Sequence, residues 1–264
     1  MSVSHSMMRR RRVPFGAVLL LVLALAPVAA AQSSGQGYTG KTTDGQPDLQ
    51  GIWQAVNSAA ENLESHAASK TAPAGLSVVE GNVIPYKPEA LAKRKQNQSD
   101  GQAADPVARC LMPGVPRITY MPFPFRIMQF ADMVAITYEY LNLTRFIFMD
   151  KAPAPGADVI EFYMGYSRGR WEGNTLVVDV TNFNDETWFD KAGNYHGFNL
   201  KVTERYTRVN ADVMTYEATI EDPDTFTRPW KVTMPLYRRQ EPNLRLLEYE
   251  CYEFREDELS LQGR

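Results

Sequence analysis

At positions 165–185 the chain reads Gly-Tyr-Ser-Arg-Gly-Arg-Trp-Glu-Gly-Asn-Thr-Leu-Val-Val-Asp-Val-Thr-Asn-Phe-Asn-Asp, and this run decides the fold that we expect. Aromatic and β-branched residues lie on both sides of Glu172-Gly173-Asn174, and these three residues are typical of a tight turn. The run therefore predicts a β-hairpin. A polar and aromatic loop follows it, and residues 200–206 predict a third strand.

The same strand pattern extends in both directions from this hairpin. Besides a strand at Trp53, strands are predicted at 125–130, 133–140, 144–149, 160–171, 175–180, 198–208, 213–220, 230–238 and 244–254. Turn residues such as Asp222-Pro223-Asp224 separate them. Closure removes the exposed edges that so many strands would otherwise leave. We therefore expect an all-β fold, an antiparallel meander that closes into a lipocalin-like barrel of about 8–10 strands.

The region before the barrel has a different composition. Residues 32–47 are rich in Gly, Ser, Thr and Gln and predict a disordered lead-in, after which residues 48–264 form a single barrel domain. Within that domain, residues 58–105 lack a strand pattern and predict an irregular, partly helical insertion with one short helix that begins at Pro88. Prolines interrupt the apolar residues of 105–125, so this segment either covers one barrel end or lines a ligand mouth.

Residues 1–31 have the three parts of a secretory signal, which are a basic stretch, an apolar stretch and a small-residue cleavage site. We expect cleavage after Ala31 and a periplasmic or secreted protein. The apolar stretch is too short for a membrane span. The segment holds four arginines and no acidic residue, so its removal changes the formal charge from −3 to −7. An acidic protein is a poor partner for nucleic acid.

Two cysteines, Cys110 and Cys251, remain after this cleavage. In an exported protein, a single pair of cysteines most often forms a disulfide. A reactive thiol pair is the alternative, but the chain has no Cys-x-x-Cys spacing. We therefore predict a disulfide between Cys110 and Cys251.

The strand after the hairpin carries an acidic residue on an apolar face. Period-two alternation places Leu200, Val202, Glu204 and Tyr206 on one face of this strand. If that face points into the barrel, Glu204 is a buried carboxylate that needs a cation or hydrogen-bond donors. Glu204 is then a candidate catalytic residue, and a structural ion pair to Arg145 or Arg126 is the alternative.

The loop at 181–197 holds the densest set of polar residues. An Asp190–His196 pair is suited to general acid/base work, and a hydrogen-bonding structural histidine is the alternative. Aromatic residues of the loop and apolar residues before the barrel are candidates for a ligand-binding wall. The predicted ligand-binding set is Met121, Phe123, Arg145, Trp188, Tyr195 and Tyr206.

Two resemblances rest on motifs of this sequence. The core Arg-Trp-Glu-Gly-x-Thr-Leu-Val-Val-Asp at 170–179, with Thr203-Glu204-Arg205-Tyr206, resembles an uncharacterised family of exported bacterial proteins and implies no catalytic residue. Gly51-x-Trp53 at the first strand resembles the opening of lipocalin-like (calycin) barrels. That resemblance implies a Trp that plugs one barrel end and, by analogy, a ligand cavity.

The sequence is compatible with three functions. The first is an exported β-barrel that binds a small hydrophobic or amphipathic molecule, because strand count and aromatic content favour a cavity. The second is a cofactor-independent acid/base enzyme in the cavity, such as an isomerase, cyclase, dehydratase or hydrolase. The third is a structural envelope protein with a filled barrel. We expect no cofactor and no metal, since the nucleotide and zinc patterns are missing from the sequence.

Overall fold

A computed structural model describes Met1 and residues 38–69, 72–150, 152–153, 156, 159–249 and 251. The chain divides into two compact units, Met1–Gly35 and Gln36–Arg264. Apart from Met1, the predicted secretory signal at 1–31 and the first part of the predicted lead-in lie outside the described residues. The second unit contains every helix and strand discussed below.

Among the described residues, nine strands form a closed barrel in the order of the sequence. This confirms the predicted all-β barrel, its strand number and the short helix before it. The helix is α1 (Pro88–Asp100), which has proline at its start. A second helix, α2 (Arg117–Tyr120), has a single turn. The strands are β1 (Gly51–Ala55), β2 (Phe125–Gln129), β3 (Met133–Tyr138), β4 (Thr144–Phe148), β5 (Tyr166–Glu172), β6 (Thr175–Thr181), β7 (Lys201–Arg208), β8 (Val213–Glu221) and β9 (Trp230–Arg238).

The strand pairing differs from the predicted antiparallel meander at one place. β4 and β5 pair in parallel, with Ile147 opposite Ser167 and Phe148 opposite Arg168. The connection between them is long and carries prolines, so it does not form a tight hairpin and β5 begins at the same barrel end as β4. All other neighbours are antiparallel, and β1 closes the barrel against β9. Residues 244–249, which the structure describes, form no strand where one was predicted.

The barrel end with the tight turns, which we call the hairpin end, is plugged by an aromatic residue. Trp53 is fully buried there, and its indole N–H donates to the carbonyl of Leu49 at 2.9 Å. The guanidinium of Arg208 lies over the rings of Trp53 and Tyr38. Tyr38 also donates its backbone N–H to Val209, so this part of the predicted disordered lead-in contacts the barrel.

The opposite end, which we call the lid end, is covered by the segment before β2. We name residues 105–124 the lid. The hydroxyl of Tyr120 in α2 donates to the carbonyl of Phe189 at 2.8 Å, which joins the lid to the loop before β7. Asp105 accepts two hydrogen bonds from the guanidinium of Arg117, at 2.8 and 2.6 Å, and both side chains are buried. The lid therefore covers the barrel, as one of the two predictions for this segment states.

The predicted disulfide is present and fastens the lid from outside. Cys110 at the start of the lid bonds to Cys251, with their Cα atoms 5.6 Å apart. The chain just before Cys251 is also anchored, because Tyr249 packs against the rings of Phe123 and Tyr140. The C-terminal part of the described chain thus lies over the lid.

Candidate functional site

Three strands of the barrel wall, β4, β5 and β7, place polar side chains in the barrel interior. Alternation turns Arg145 of β4, Ser167 of β5 and Glu204 of β7 inward, and all three are buried. Their strand neighbours on the same faces are apolar, as the period-two pattern requires. The inward position predicted for Glu204 is therefore the one observed.

The buried carboxylate of Glu204 is saturated by three donors. Arg145 Nη2 lies 2.5 Å from Glu204 Oε2. The hydroxyls of Tyr206 and Tyr216 donate to Glu204 Oε1 at 2.9 and 2.7 Å. Arg145 Nε in turn donates to Ser167 Oγ at 2.8 Å. The ion pair with Arg145, one of the two partners that the sequence suggested, is thus formed, whereas Arg126 is exposed.

The ionisation of this group of residues is fixed by burial and by mutual attraction. Burial raises the pKa of Tyr206 and Tyr216 well above its ordinary value, and the Glu204 carboxylate raises it further. Burial also raises the pKa of Tyr138. Burial alone would lower the pKa of Arg145, but Glu204 and the nearby tyrosines raise it. The tyrosines therefore stay protonated and the guanidinium stays charged.

Three polar atoms at the same place lack a hydrogen bond of normal geometry within the part of the chain that is described. They are the hydroxyl of Tyr138, Nη1 of Arg145 and Oγ1 of Thr119 in α2. Each belongs to a residue with at most 4 % of its surface exposed. Thr119 and Arg145 both lie within hydrogen-bonding reach of the Tyr138 hydroxyl, and Thr119 also lies within reach of Tyr206. Buried polar groups are almost always well paired, so three atoms that meet only one another, and without normal hydrogen-bond geometry, mark a place where a further partner could be accepted.

We call these seven residues the polar cluster. It consists of Thr119, Tyr138, Arg145, Ser167, Glu204, Tyr206 and Tyr216. Of the predicted site residues, it contains Glu204, Arg145 and Tyr206. Tyr216 has the same sequence signal as Glu204, because it lies on the apolar face of its strand. Thr119 has no such signal, since its position depends on how the lid folds over the barrel.

His196 and Asp190 lie in a different place, in the loop between β6 and β7. Both are buried, but the described contacts do not pair them. His196 Nδ1 donates to the carbonyl of Gly197 at 3.0 Å, so its Nε2 accepts from the Thr187 hydroxyl at 2.7 Å. Burial lowers the pKa of His196, and the network holds one neutral tautomer.

Asp190 ties the loop to the insertion before the barrel. Its carboxylate accepts from the backbone of Leu63, Ala192 and Asn194 and from the Asn194 side chain, at 2.6–3.2 Å. Burial raises the pKa of Asp190 to about 6, although these donors favour the charged form. The geometry thus separates Asp190, His196 and Glu204 into three networks. Their predicted acid/base roles stay a prediction.

The remaining members of the predicted ligand-binding set lie around the lid end and are not part of the polar cluster. Met121 is buried in the core, and Phe123 packs against Tyr140. Tyr195 is buried against α1, where its hydroxyl donates to the carbonyl of Ala90 at 3.3 Å. Trp188 is half-buried and bridges to Tyr195. A ligand-binding role for these four residues also stays a prediction.

The barrel interior is filled by side chains. Glu204, Tyr206, Tyr216, Phe125 and Ile136 expose none of their surface, so no water-sized space lies against them. The five clefts that we describe are open and have volumes of about 290–470 Å³. The polar cluster lines none of these five.

Comparisons with protein-family models, with curated proteins and with solved structures give no match. The family resemblance of the sequence therefore stays an expectation. Within the described ranges, no helix has the length and apolar character that suit a membrane crossing. In the same ranges, no group of three or more His, Cys, Asp or Glu side chains is arranged to hold a metal ion.

Proposed function

We propose that this protein binds a small amphipathic molecule inside the barrel, with the polar group of that molecule on the polar cluster. One observation carries the proposal. Three buried polar atoms, from Thr119, Tyr138 and Arg145, converge on one another without a hydrogen bond of normal geometry in the described chain. Such atoms are typical of a site whose ligand or ordered water supplies the missing hydrogen bonds.

The desolvation cost of the polar cluster favours a role in ligand binding over a role in stability alone. Burying an ion pair such as Arg145–Glu204 costs several kcal/mol per ion in desolvation, and apolar residues of similar volume often give equal or higher stability. A barrel that served only as a scaffold would gain from an apolar interior. The cluster is therefore better explained by what it recognises than by what it stabilises.

The lid supplies a route to the interior. α2 lies over the polar cluster with Ile118, Thr119 and Tyr120 all buried, and Thr119 is one of the residues with an unpaired atom. A ligand reaches the cluster when α2 moves outward, and its apolar body then takes the space of the α2 side chains. The apolar walls from Ile136, Ile147 and Val178 suit such a body.

We further propose export of the protein to the periplasm or the outside of the cell. The disulfide between Cys110 and Cys251 supports this, since disulfides persist mainly in oxidising compartments.

Of the two alternative functions, the structural envelope protein is supported by a separate observation. The filled interior favours the structural envelope protein, because a barrel without space needs no ligand. The acid/base enzyme has less support, since both oxygens of Glu204 are already engaged by donors.

Native mass spectrometry of protein purified from its producing cells tests the proposal. The wild type is expected to retain a small molecule. The variant Arg145→Met/Glu204→Gln removes both buried charges but keeps an acceptor for the two tyrosines, and it is expected to retain none. The matched control is Arg126→Met/Glu217→Gln, which makes the same changes on the outer face and should retain the molecule. Empty wild-type protein, or equal occupancy in both double variants, would contradict the proposal.

A further inference from the structure

We infer that the polar group bound by the cluster is an uncharged oxygen acceptor, such as a ketone, ester or amide carbonyl, and not a carboxylate. This inference rests on the proposed function and names the chemical class of the ligand. It follows from the donors that are free in the cluster and from the charge that the cluster already holds.

The free atoms of the cluster are well suited to donate to an oxygen. Arg145 Nη1 is a pure donor, because a guanidinium has no acceptor. Its orientation is fixed, since Nε is held by Ser167 and Nη2 by Glu204. The hydroxyls of Tyr138 and Thr119 add two further donors; Thr119 and Arg145 approach the Tyr138 oxygen, without normal hydrogen-bond geometry, and can turn to a ligand oxygen placed beside it. A carbonyl oxygen has two lone pairs and matches two of these three groups at once.

The charge of the cluster selects between a neutral acceptor and an anion. Arg145 brings one positive charge and Glu204 one negative charge, 2.5 Å apart, and both side chains are at most 3 % exposed. The other members of the cluster are hydroxyl groups, so the cluster is close to neutral. A carboxylate on the ligand would add an uncompensated buried charge, which is strongly unfavourable in a low-dielectric interior.

A charge-exchange experiment tests this inference. Isothermal titration measures the binding of octan-2-one and of octanoate, two probes of equal chain length that differ in charge. Wild-type protein is expected to bind octan-2-one at least about tenfold more tightly than octanoate, because the anion lacks a counter-charge. In Glu204→Gln the positive charge of Arg145 becomes uncompensated, and the preference is expected to reverse in favour of octanoate.

The control is Glu217→Gln, which removes the same charge from the outer face of β8, where Glu217 meets Lys231 at 3.4 Å. Its preference should equal that of the wild type. Wild-type protein that prefers octanoate, or a preference that Glu204→Gln and Glu217→Gln change equally, would overturn the neutral-acceptor inference alone. If neither probe binds to any of these proteins, the proposed ligand site itself fails. The wild-type comparison decides the inference even if Glu204→Gln does not fold.

Discussion

At the residue scale, the most unusual feature is the buried ion pair Arg145–Glu204 in the barrel interior. The sequence predicted the inward position of Glu204 from the alternation of β7, and it named Arg145 as one of two cations in reach. It did not predict Ser167, Tyr138 or Thr119 as partners. The contact with Ser167 depends on the parallel pairing of β4 with β5, and the contact with Thr119 depends on the fold of the lid. Neither feature follows from a local pattern.

Removal of one member of the pair should cost more than removal of both charges. Arg145→Met leaves Glu204 buried without its cation, and we expect a loss of about 3–5 kcal/mol in the free energy of unfolding. Adding Glu204→Gln removes the orphaned charge and keeps an acceptor for Tyr206 and Tyr216, so most of that loss should be recovered. Urea unfolding of the wild type, both single variants and the double variant measures this coupling. Losses that simply add would show that the pair is not coupled.

The buried histidine should make stability depend on pH in one direction. Burial lowers the pKa of His196 below its ordinary value of 6.5, so the unfolded chain takes up a proton more readily than the folded chain. Stability from this residue is therefore present above pH ~6.5 and is lost as the pH falls below it, by up to about 1.4 kcal/mol per pH unit. Asp190, with its raised pKa of about 6, contributes a slope of opposite sign to both proteins. The difference in unfolding free energy between the wild type and His196→Gln, measured by urea unfolding from pH 8 to pH 5, should therefore show the slope of His196. Parallel pH profiles would contradict the assignment.

At the element scale, the inward face of β7 carries two charged residues, one in the polar cluster and one at the hairpin end. Glu204 lies in the middle of the strand and Arg208 at its last position, and both point inward. Arg208 donates to the carbonyls of Asp48, Asn210 and Ala211 at 2.6–3.1 Å and covers Trp53. The sequence predicted the aromatic plug at Trp53 by resemblance, but it gave no sign of the arginine that holds it.

Arg208 should therefore affect stability without affecting the ligand site. Arg208→Met leaves three carbonyl groups without their charged donor, and we expect a loss of roughly 3 kcal/mol in unfolding free energy. Arg238→Met at the same barrel end is the control, since Arg238 is exposed and a surface change is usually worth less than about 0.5 kcal/mol. Thermal unfolding compares the two variants. A smaller loss for Arg208→Met than for Arg238→Met would contradict the role of Arg208.

Local patterns predicted the strands well and their assembly less well. Tight turns such as Glu172-Gly173-Asn174 define antiparallel neighbours directly, because the chain must reverse there. The long connection between β4 and β5 leaves the direction of β5 open, and the observed direction is parallel. The lid is harder still. Its prolines excluded regular structure, but its position over the barrel depends on contacts with residues far away in the sequence, such as Phe189.

At the scale of the whole molecule, the barrel is closed at both ends in different ways. The hairpin end is plugged by Trp53 and Arg208 from within the strands and the N-terminal segment. The lid end is covered by a separate segment that a disulfide fastens to the C-terminal part of the described chain. The polar cluster lies beneath this second closure and includes one residue of it, Thr119. The proposed function requires that this cover moves outward and exposes the incompletely paired polar cluster to a ligand.

The electron density at the polar cluster, in crystals of protein isolated from its producing cells, tests this account most directly. We expect density for a bound molecule with an oxygen in hydrogen-bond distance of Arg145 Nη1 and the Tyr138 hydroxyl, and α2 displaced outward from the barrel. If α2 instead stays in place and the three unpaired atoms meet only one another or a single ordered water, the proposed ligand site is contradicted.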